Sequence, residues 1–413
     1  MRAHLRTLFF IVLSVAPCRA MIYDNKFLPL GPYRFSRKYT DSTIAVPQAF
    51  AITGHESHSV THEDVALFGL YGSYNLAAVS NALGDVGSPN PLRSEWRTAT
   101  IPWRMDGKVQ GGGLAIAYNQ PLTDTLSFTA NTMFLHMRSR IDFTLLTGSV
   151  TPTHVKEGSG NIGELDRTRR QANDFLGITS EVASEAGFGD LDASVRYGKK
   201  WDYPRKFKSI DAGGRFGIIF PTGVRRHYNN AASLAFGSDG HYGVYFEGDG
   251  EFELKEDIKF STFARLTKRV GRELMHRVPT QQWREAINYG AIVGKFKVDP
   301  GVALTFGAKV ALEDINRGFG ASVRYIWTKK WCDTWTDKRS DQTVAFAKNS
   351  MESFSRFTSE YVTIGAFYDF SKRVTVDDTG PLISLTWDIP TTQLGGEGVA
   401  AINRVTVGVE WDF

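Results

Sequence analysis

Residues 401–413 read AINRVTVGVEWDF. Ala401, Val405, Val407, Val409, Trp411 and Phe413 fall on one parity, and Arg404, Thr406, Gly408, Glu410 and Asp412 on the other. Side chains alternate across a strand, so this segment is a strand with one oily and one wet face. The pattern recurs upstream. Over 302–312 the even positions are Val302, Leu304, Phe306, Ala308, Val310 and Leu312, and the odd ones include Thr305, Gly307 and Lys309. Leu191, Ala193, Val195 and Tyr197 alternate with Asp190, Asp192, Ser194 and Arg196, and Ile210, Ala212, Phe216, Ile218 and Phe220 with Ser209, Asp211 and Arg215. A further run sets Tyr242, Val244, Phe246, Phe252 and Leu254 against Glu247, Asp249, Glu251 and Glu253.

Alternation alone fits a soluble sandwich as well as a membrane barrel. Three features favour the membrane. The segments are longer than usual soluble strands and suit a tilted bilayer crossing. Short turns (Thr123-Asp124, Glu256-Asp257, Asp299-Pro300-Gly301) alternate with long polar loops. Aromatics sit near strand ends (Tyr118, Phe143, Tyr197, Phe220, Trp327, Trp387, Trp411, Phe413), as an interfacial girdle requires. Glycines on the wet parity (Gly217, Gly243, Gly307, Gly365, Gly408) suit a barrel curving around a filled lumen.

Composition agrees with this class. A chain of 413 residues that is 42% hydrophobic, with net charge +4 and two cysteines, is neither disordered nor a disulfide scaffold. No apolar run reaches the length of a spanning helix, which excludes an ordinary helical membrane protein. Arg2 and Arg6, an apolar stretch from Leu8 to Ala16 and the small residue Ala20 make residues 1–20 a secretory signal peptide cleaved after Ala20. Cleavage removes three arginines and no acid, lowering the net charge from +4 to +1 and leaving Cys332 as the single thiol. A net charge so small gives no argument for nucleic acid as a partner.

The expected fold is all-β: an antiparallel transmembrane β-barrel of about fourteen strands, with twelve as the alternative. Residues 21–63 form an N-terminal plug or periplasmic arm, and 64–413 the barrel. The expected strands are 64–80, 108–121, 124–143, 187–200, 207–220, 241–254, 257–270, 287–298, 301–313, 317–328, an uncertain crossing within 338–350, 357–371, 381–390 and 400–413. Stretches 81–107, 144–186, 221–240, 271–286 and 390–399 become extracellular loops. The 329–356 stretch, with Trp331, Cys332 and Trp335, fits least well.

With the wet parity as the lumen, the lining is Asp190, Asp192, Arg196, Asp211, Arg215, Glu247, Asp249, Glu251, Lys295, Lys309 and Arg324, with Lys259, Arg265 and Lys297 beside them. Ionisable groups cannot face lipid cheaply, so an ion-pair ladder filling the interior is the first reading and a gating field across a pore the second. Other chemistry is poorly supported. His55, His58 and His62 have helical metal-site spacing, but a solvated linker explains them better. His136 near Ser139 has arginines beside it and no elbow motif. The acids of Glu247-Gly248-Asp249-Gly250-Glu251 point the same way, unlike a wrapping calcium loop. No catalytic residue, metal or cofactor is expected.

The ending Trp411-Asp412-Phe413 resembles the terminal signature of bacterial outer-membrane proteins handled by the barrel-assembly machinery. Gly187-Phe188-Gly189-Asp190-Leu191 and, one strand later, Phe220-Pro221-Thr222-Gly223 resemble the phenol-degradation (MetA-pathway) channels, relatives of the long-chain fatty acid transporter FadL. The resemblance implies a monomeric barrel passing small hydrophobic compounds through a lumen obstructed by an N-terminal plug. The Asn-Pro-Ala-Gly element that such relatives often carry is missing from 21–80. The expectation is therefore an outer-membrane channel for passive uptake of small hydrophobic or aromatic solutes. Its partners would be outer-membrane lipid, the barrel-assembly machinery and the solute. The alternative is a closed barrel binding partners through its loops.

Overall fold

The computed structural model describes residues 25–28, 43–59, 61, 63–155, 161–202, 207–255, 257–373 and 380–412. The expected signal peptide 1–20, Phe413 and most of 21–42 lie outside them. Among the described residues, twelve antiparallel strands close a barrel: β1 (Ile44–His58), β2 (Pro102–Pro121), β3 (Leu126–Leu145), β4 (Leu191–Asp202), β5 (Ser209–Phe220), β6 (Gly243–Lys255), β7 (Ile258–Arg269), β8 (Ala303–Asn316), β9 (Phe319–Lys330), β10 (Phe357–Asp369), β11 (Leu382–Thr391) and β12 (Val399–Asp412). Each strand pairs with its neighbours in sequence, and β1 closes the ring by pairing with both β2 and β12. The strand count is thus the alternative of twelve, not fourteen.

An even number of strands brings both ends of the barrel chain to one rim, where Ile44 stands opposite both Asp412 and Asn119. Tight turns such as 122–125 and 317–318 lie at this rim. All long excursions (59–101, 146–190, 221–242, 270–302, 331–356) leave the other one.

Two-residue periodicity determines which side chains meet lipid. Phe216, Val244, Phe246, Leu266, Phe306, Val310, Val323, Ile364, Leu385, Val405 and Val407 are exposed on the outer face. Thr305, Arg324, Thr363, Asp388, Arg404 and Thr406, from the opposite parity, are buried inside. Tyr197, Trp387 and Trp411 are exposed. Phe143 differs: it points inward and packs edge-on against Tyr74 and Tyr289.

The expected boundary at residue 63 is wrong, because 44–58 is a wall strand. In β1 the oily face is the inner one: Ile44, Val46, Phe50 and Ile52 are buried, while the outward positions carry Ala45, Pro47, Ala49 and Ala51. Segment 64–80 is no crossing. It forms a short strand Asp64–Ala66, a 3-10 turn Leu67–Tyr71 and the start of helix α1 (Leu76–Asp85), whose N-cap Asn75 accepts from Ala77 N. Leu67, Phe68, Leu70, Tyr71, Tyr74, Leu76 and Val79 are all buried, on both parities, so the segment is interior filling rather than a two-faced wall.

Segment 287–298 is also off the wall. Ile292–Asp299 pairs with Arg272–Val278 and Thr334–Asp337 in a separate three-stranded sheet. One face of this sheet buries Val278, Ile292, Phe296 and Trp335, so it alternates as a wall strand does. Asp299-Pro300-Gly301 consequently lies at the long-loop rim. The uncertain crossing within 338–350 holds the first residues of helix α3 (Lys348–Ser355) and no strand.

Candidate functional site

The interior has two differently built regions. Toward the long-loop rim, Phe50, Ile52, Trp103, Met105, Val109, Leu135, Met137 and Ile141 on the inner faces of β1–β3 join one apolar cluster with Phe68, Tyr74, Leu76, Val79 and Leu83. A Cβ on Gly107 would come within 2.7 Å of the Phe68 ring, so the wall and filling touch directly. Helix α2 (Asn161–Phe175) adds Leu165 and Ala172 to the cluster. The N-terminal residues 25–28 also reach this level. The Asn25 amide donates to the carbonyls of Ala235 and Gly237, both at 3.0 Å, and Phe27 stacks against Phe68 and Tyr71. The chain is therefore inside at the long-loop end at residue 28 and at the opposite rim at Ile44.

The second region is a ladder of ion pairs on the inner faces of β4–β8. At its top, Arg269 lies 3.6 Å from Asp190. Next, Arg265 meets Asp192 at 2.7 Å and Glu247 at 3.9 Å, and Arg215 meets Glu247 at 3.2 Å. The Tyr245 hydroxyl donates to Asp192, and its ring occupies the space a Cβ on Gly217 would need. Lower down, Arg196 binds Asp249 and Asp211, each at 2.7 Å, and its guanidinium fills the space over Gly198 and Gly213. Near the short-turn rim Lys259 lies 3.3 Å from Glu313 and 3.9 Å from Glu251. Across the lumen, Arg404 and Arg324 share the fully buried Asp388 at 2.7 and 3.4 Å.

The structure places Asp190, Asp192, Arg196, Asp211, Arg215, Glu247, Asp249, Glu251 and Arg324 in these networks, and Lys309 on the same inner parity, half-buried. Lys295 is not among them. It belongs to the three-stranded sheet, is exposed, and edges a cleft outside the lumen wall. Lys297 sits in the same strand. His55 is exposed beside Glu56 and His58 meets Asp64, both in or next to β1, so no helix aligns them; His62 lies outside the described residues. His136 contacts Ser184 at 3.1 Å, while Ser139 points the other way and donates to the Ala232 carbonyl. No metal-binding cluster occurs among the described residues. Trp411 faces outward near the end of β12.

The two glycine-containing motifs meet. Strand Val182–Phe188 pairs with the upper half of β3, the chain breaks at Gly189-Asp190, and β4 continues against its lower half. At the break Asp190 turns inward and accepts from Gly223 N (3.0 Å) and Ser238 N (2.7 Å), while Leu191 N donates to the Thr222 hydroxyl at 3.0 Å. A Cβ on Gly223 would lie 2.9 Å from that carboxylate, which explains the glycine. Phe188-Gly189-Asp190-Leu191 and Thr222-Gly223 thus form one clasp where the partner of β3 changes from Val182–Phe188 to β4.

Above the ladder and beside the apolar filling is a cavity of about 220 Å³ that no reading of the strands anticipated. Its lining comes from six separate segments, from residue 25 to residue 357, so no local pattern marks it. Phe27, Tyr71, Trp335, Met351, Phe354 and Phe357 give it apolar walls, and Lys26, Arg226, Arg269, Lys330, Asp239 and Asp333 line it too. The Lys26 ammonium donates to the Phe354 carbonyl, and burial, followed by the nearby Lys330 charge, pulls its pKa down to about 7. Lys330 pairs with Asp333. Arg226 lies 5.5 Å from the Tyr71 ring centre. Burial keeps His276 neutral, lowering its pKa to about 4. Arg226, Asp239 and His276 also wall an outer cleft of about 540 Å³, edged by Arg225, Glu273 and Lys295.

The closed antiparallel barrel has a solved counterpart. An outer membrane channel of the COG4313 group from Pseudomonas putida F1 superposes with a TM-score of 0.51 at 10% identity, over 93% of this chain and 100% of that one. The chain has the fold of an outer-membrane channel. The Pseudomonas putida toluene transporter TodX (TM-score 0.33, 9% identity, 90% of each chain) and the Neisseria meningitidis autotransporter NalP translocator domain (0.36, 9%, 90% of this chain and 89% of that one) are too distant to bear on this channel fold. No protein-family model and no curated relative matches the sequence.

Proposed function

We propose that this chain is an outer-membrane channel for the passive passage of small hydrophobic or aromatic solutes. The observation that carries the reading is the pairing of a closed twelve-strand barrel, apolar outside, with an interior that contains a cavity walled by both aromatic and charged side chains. Charged groups facing inward from a membrane barrel mark a pathway or a filled core. The cavity and the outer cleft share Arg226, Asp239 and His276, which gives a solute a continuous series of lining groups from the loop end inward. Such a channel would need no catalytic group or cofactor. Its surroundings would be outer-membrane lipid, into which the barrel-assembly machinery inserts it by way of the β12 end bearing Trp411 and Phe413.

The packing of residues 67–83 inside the barrel favours the second reading, a closed barrel acting through its loops. Liposome swelling and planar-bilayer conductance separate the two. The full mature chain is compared with one lacking residues 21–42, since a longer deletion would remove β1. Solute flux that increases on deletion supports a plugged channel, whereas folded barrels with no flux in either form support the closed one.

A further inference from the structure

We propose that the 220 Å³ cavity is a selectivity site for a small aromatic acid, one ring bearing one carboxylate, and not for a neutral hydrocarbon. The inference rests on the channel reading and narrows it. Size comes first. An apolar cavity of about 150 Å³ is enough to take benzene, so this one has room for a single ring and a substituent but not for a long chain.

The lining is divided between two chemistries. Phe27, Trp335 and Phe354 offer ring-sized apolar contact, which an inorganic anion would leave unused. Four cations line the same space against two carboxylates. Lys330 is paired with Asp333, and Arg269 faces Asp190 behind the lining. Asp239 accepts the backbone N–H of Arg226 at 2.9 Å. The Arg226 guanidinium meets the Tyr71 side chain and is attracted by Asp239, whereas the Lys26 ammonium, among the described residues, meets only a carbonyl in its hydrogen bonding. A buried cation is costly unless an anion compensates it. A carboxylate beside Lys26, within reach of the Arg226 charge, would supply that compensation, and a hydrocarbon could not. Burial first, and then the neighbouring Lys330 and Arg226 charges, depress the pKa of Lys26 against the opposing pull of Asp333.

The approach has the same bias. The outer cleft carries Arg225, Arg226 and Lys295 against Asp239 and Glu273, an arrangement that raises the local concentration of anions. Two buried nitrogens of the cavity's lining residues, His276 Nε2 and Trp335 Nε1, find no hydrogen-bond partner among the described residues, so polar capacity remains there.

The test is titration calorimetry on the full mature chain in nonionic detergent, with benzoate, benzyl alcohol and acetate as probes. Benzoate is expected to bind at least about tenfold tighter than either of the others, the value of one charge-assisted hydrogen bond. Lys26→Gln should bring benzoate down to the level of benzyl alcohol and leave benzyl alcohol unchanged, with heat-modifiable mobility showing an intact barrel. Arg226→Gln, in a different segment, is the independent check. Benzyl alcohol binding as tightly as benzoate overturns the acid, acetate doing so overturns the ring, and a benzoate preference untouched by both substitutions overturns the site. Benzoate binding without flux of any solute removes the channel reading and leaves the site. Flux without discrimination between benzoate and benzyl alcohol does the reverse.

Discussion

Replacing Arg196 with methionine tests whether the ion ladder fills the lumen or lines open water. Its guanidinium makes three charge-assisted hydrogen bonds, Nε to both Asp249 oxygens at 2.8 and 3.0 Å and Nη2 to Asp211 at 2.7 Å, and its side chain is 1% exposed. Each such bond contributes about 1.5–3 kcal/mol, but the three share one group and do not add. Loss of one partner from a buried pair costs about 3–5 kcal/mol, because the carboxylates left behind have no compensation. Asp211 and Asp249 keep 11% and 12% of their side-chain surface exposed, which lets some water relieve them and favours the lower end, about 3 kcal/mol. The assay is equilibrium urea unfolding in phospholipid vesicles, followed by tryptophan emission. Arg196→Met combined with Asp211→Asn and Asp249→Asn should recover most of the loss. A change below about 1 kcal/mol, the range of solvated pairs, would refute the reasoning and make the ladder the wall of a water-filled pore.

Three further outcomes follow from other parts of the molecule. Val310, central in β8 and exposed opposite Val323, should tolerate arginine poorly, at about 2–4 kcal/mol in the same unfolding assay, whereas Leu304, paired with Lys329 near the rim, should lose about 0–1 kcal/mol. Burial pushes Glu285 up to about 7 despite its bonds from Thr280 and Gln281, so the folded loop holds a proton that the open loop releases. Its stabilisation is full below the ordinary carboxylate pKa and lost as pH rises toward 7, and hydrogen exchange across 279–286 should be slower at pH 5 than at pH 8 after correction for intrinsic rates. Benzoate affinity should fall as pH rises through 7, because Lys26 titrates at about 7 and only its charged form attracts the acid; a flat profile from pH 6 to pH 9 in calorimetry would detach Lys26 from the site.

The wall was legible wherever its outer residues are large. β4–β8 and β10–β12 place Val, Phe, Leu or Trp on lipid and charge inside, so period two marks them. β1 was missed because its lipid face is alanine and proline while Phe50 and Ile52 point into the apolar filling, which erases the usual contrast. Segment 287–298 reads as a crossing because a sheet half-buried on a core alternates as a sheet half-buried in lipid does. The ladder residues could be read from parity because carboxylates and guanidiniums have nowhere to go but inward. The cavity could not, since Lys26, Arg226 and Trp335 are brought together by loops whose paths no local pattern encodes.

Passage of aromatic solutes across an outer membrane can be measured directly. The most direct measurement is the initial rate of uptake of radiolabelled benzoate and of radiolabelled toluene, at low external concentration, into intact cells producing this chain, with cells producing an equal amount of an unrelated closed barrel as reference. Faster entry of at least one aromatic solute is expected without any added energy source, and faster entry of benzoate in particular. Equal rates for both compounds in both cell types would contradict it.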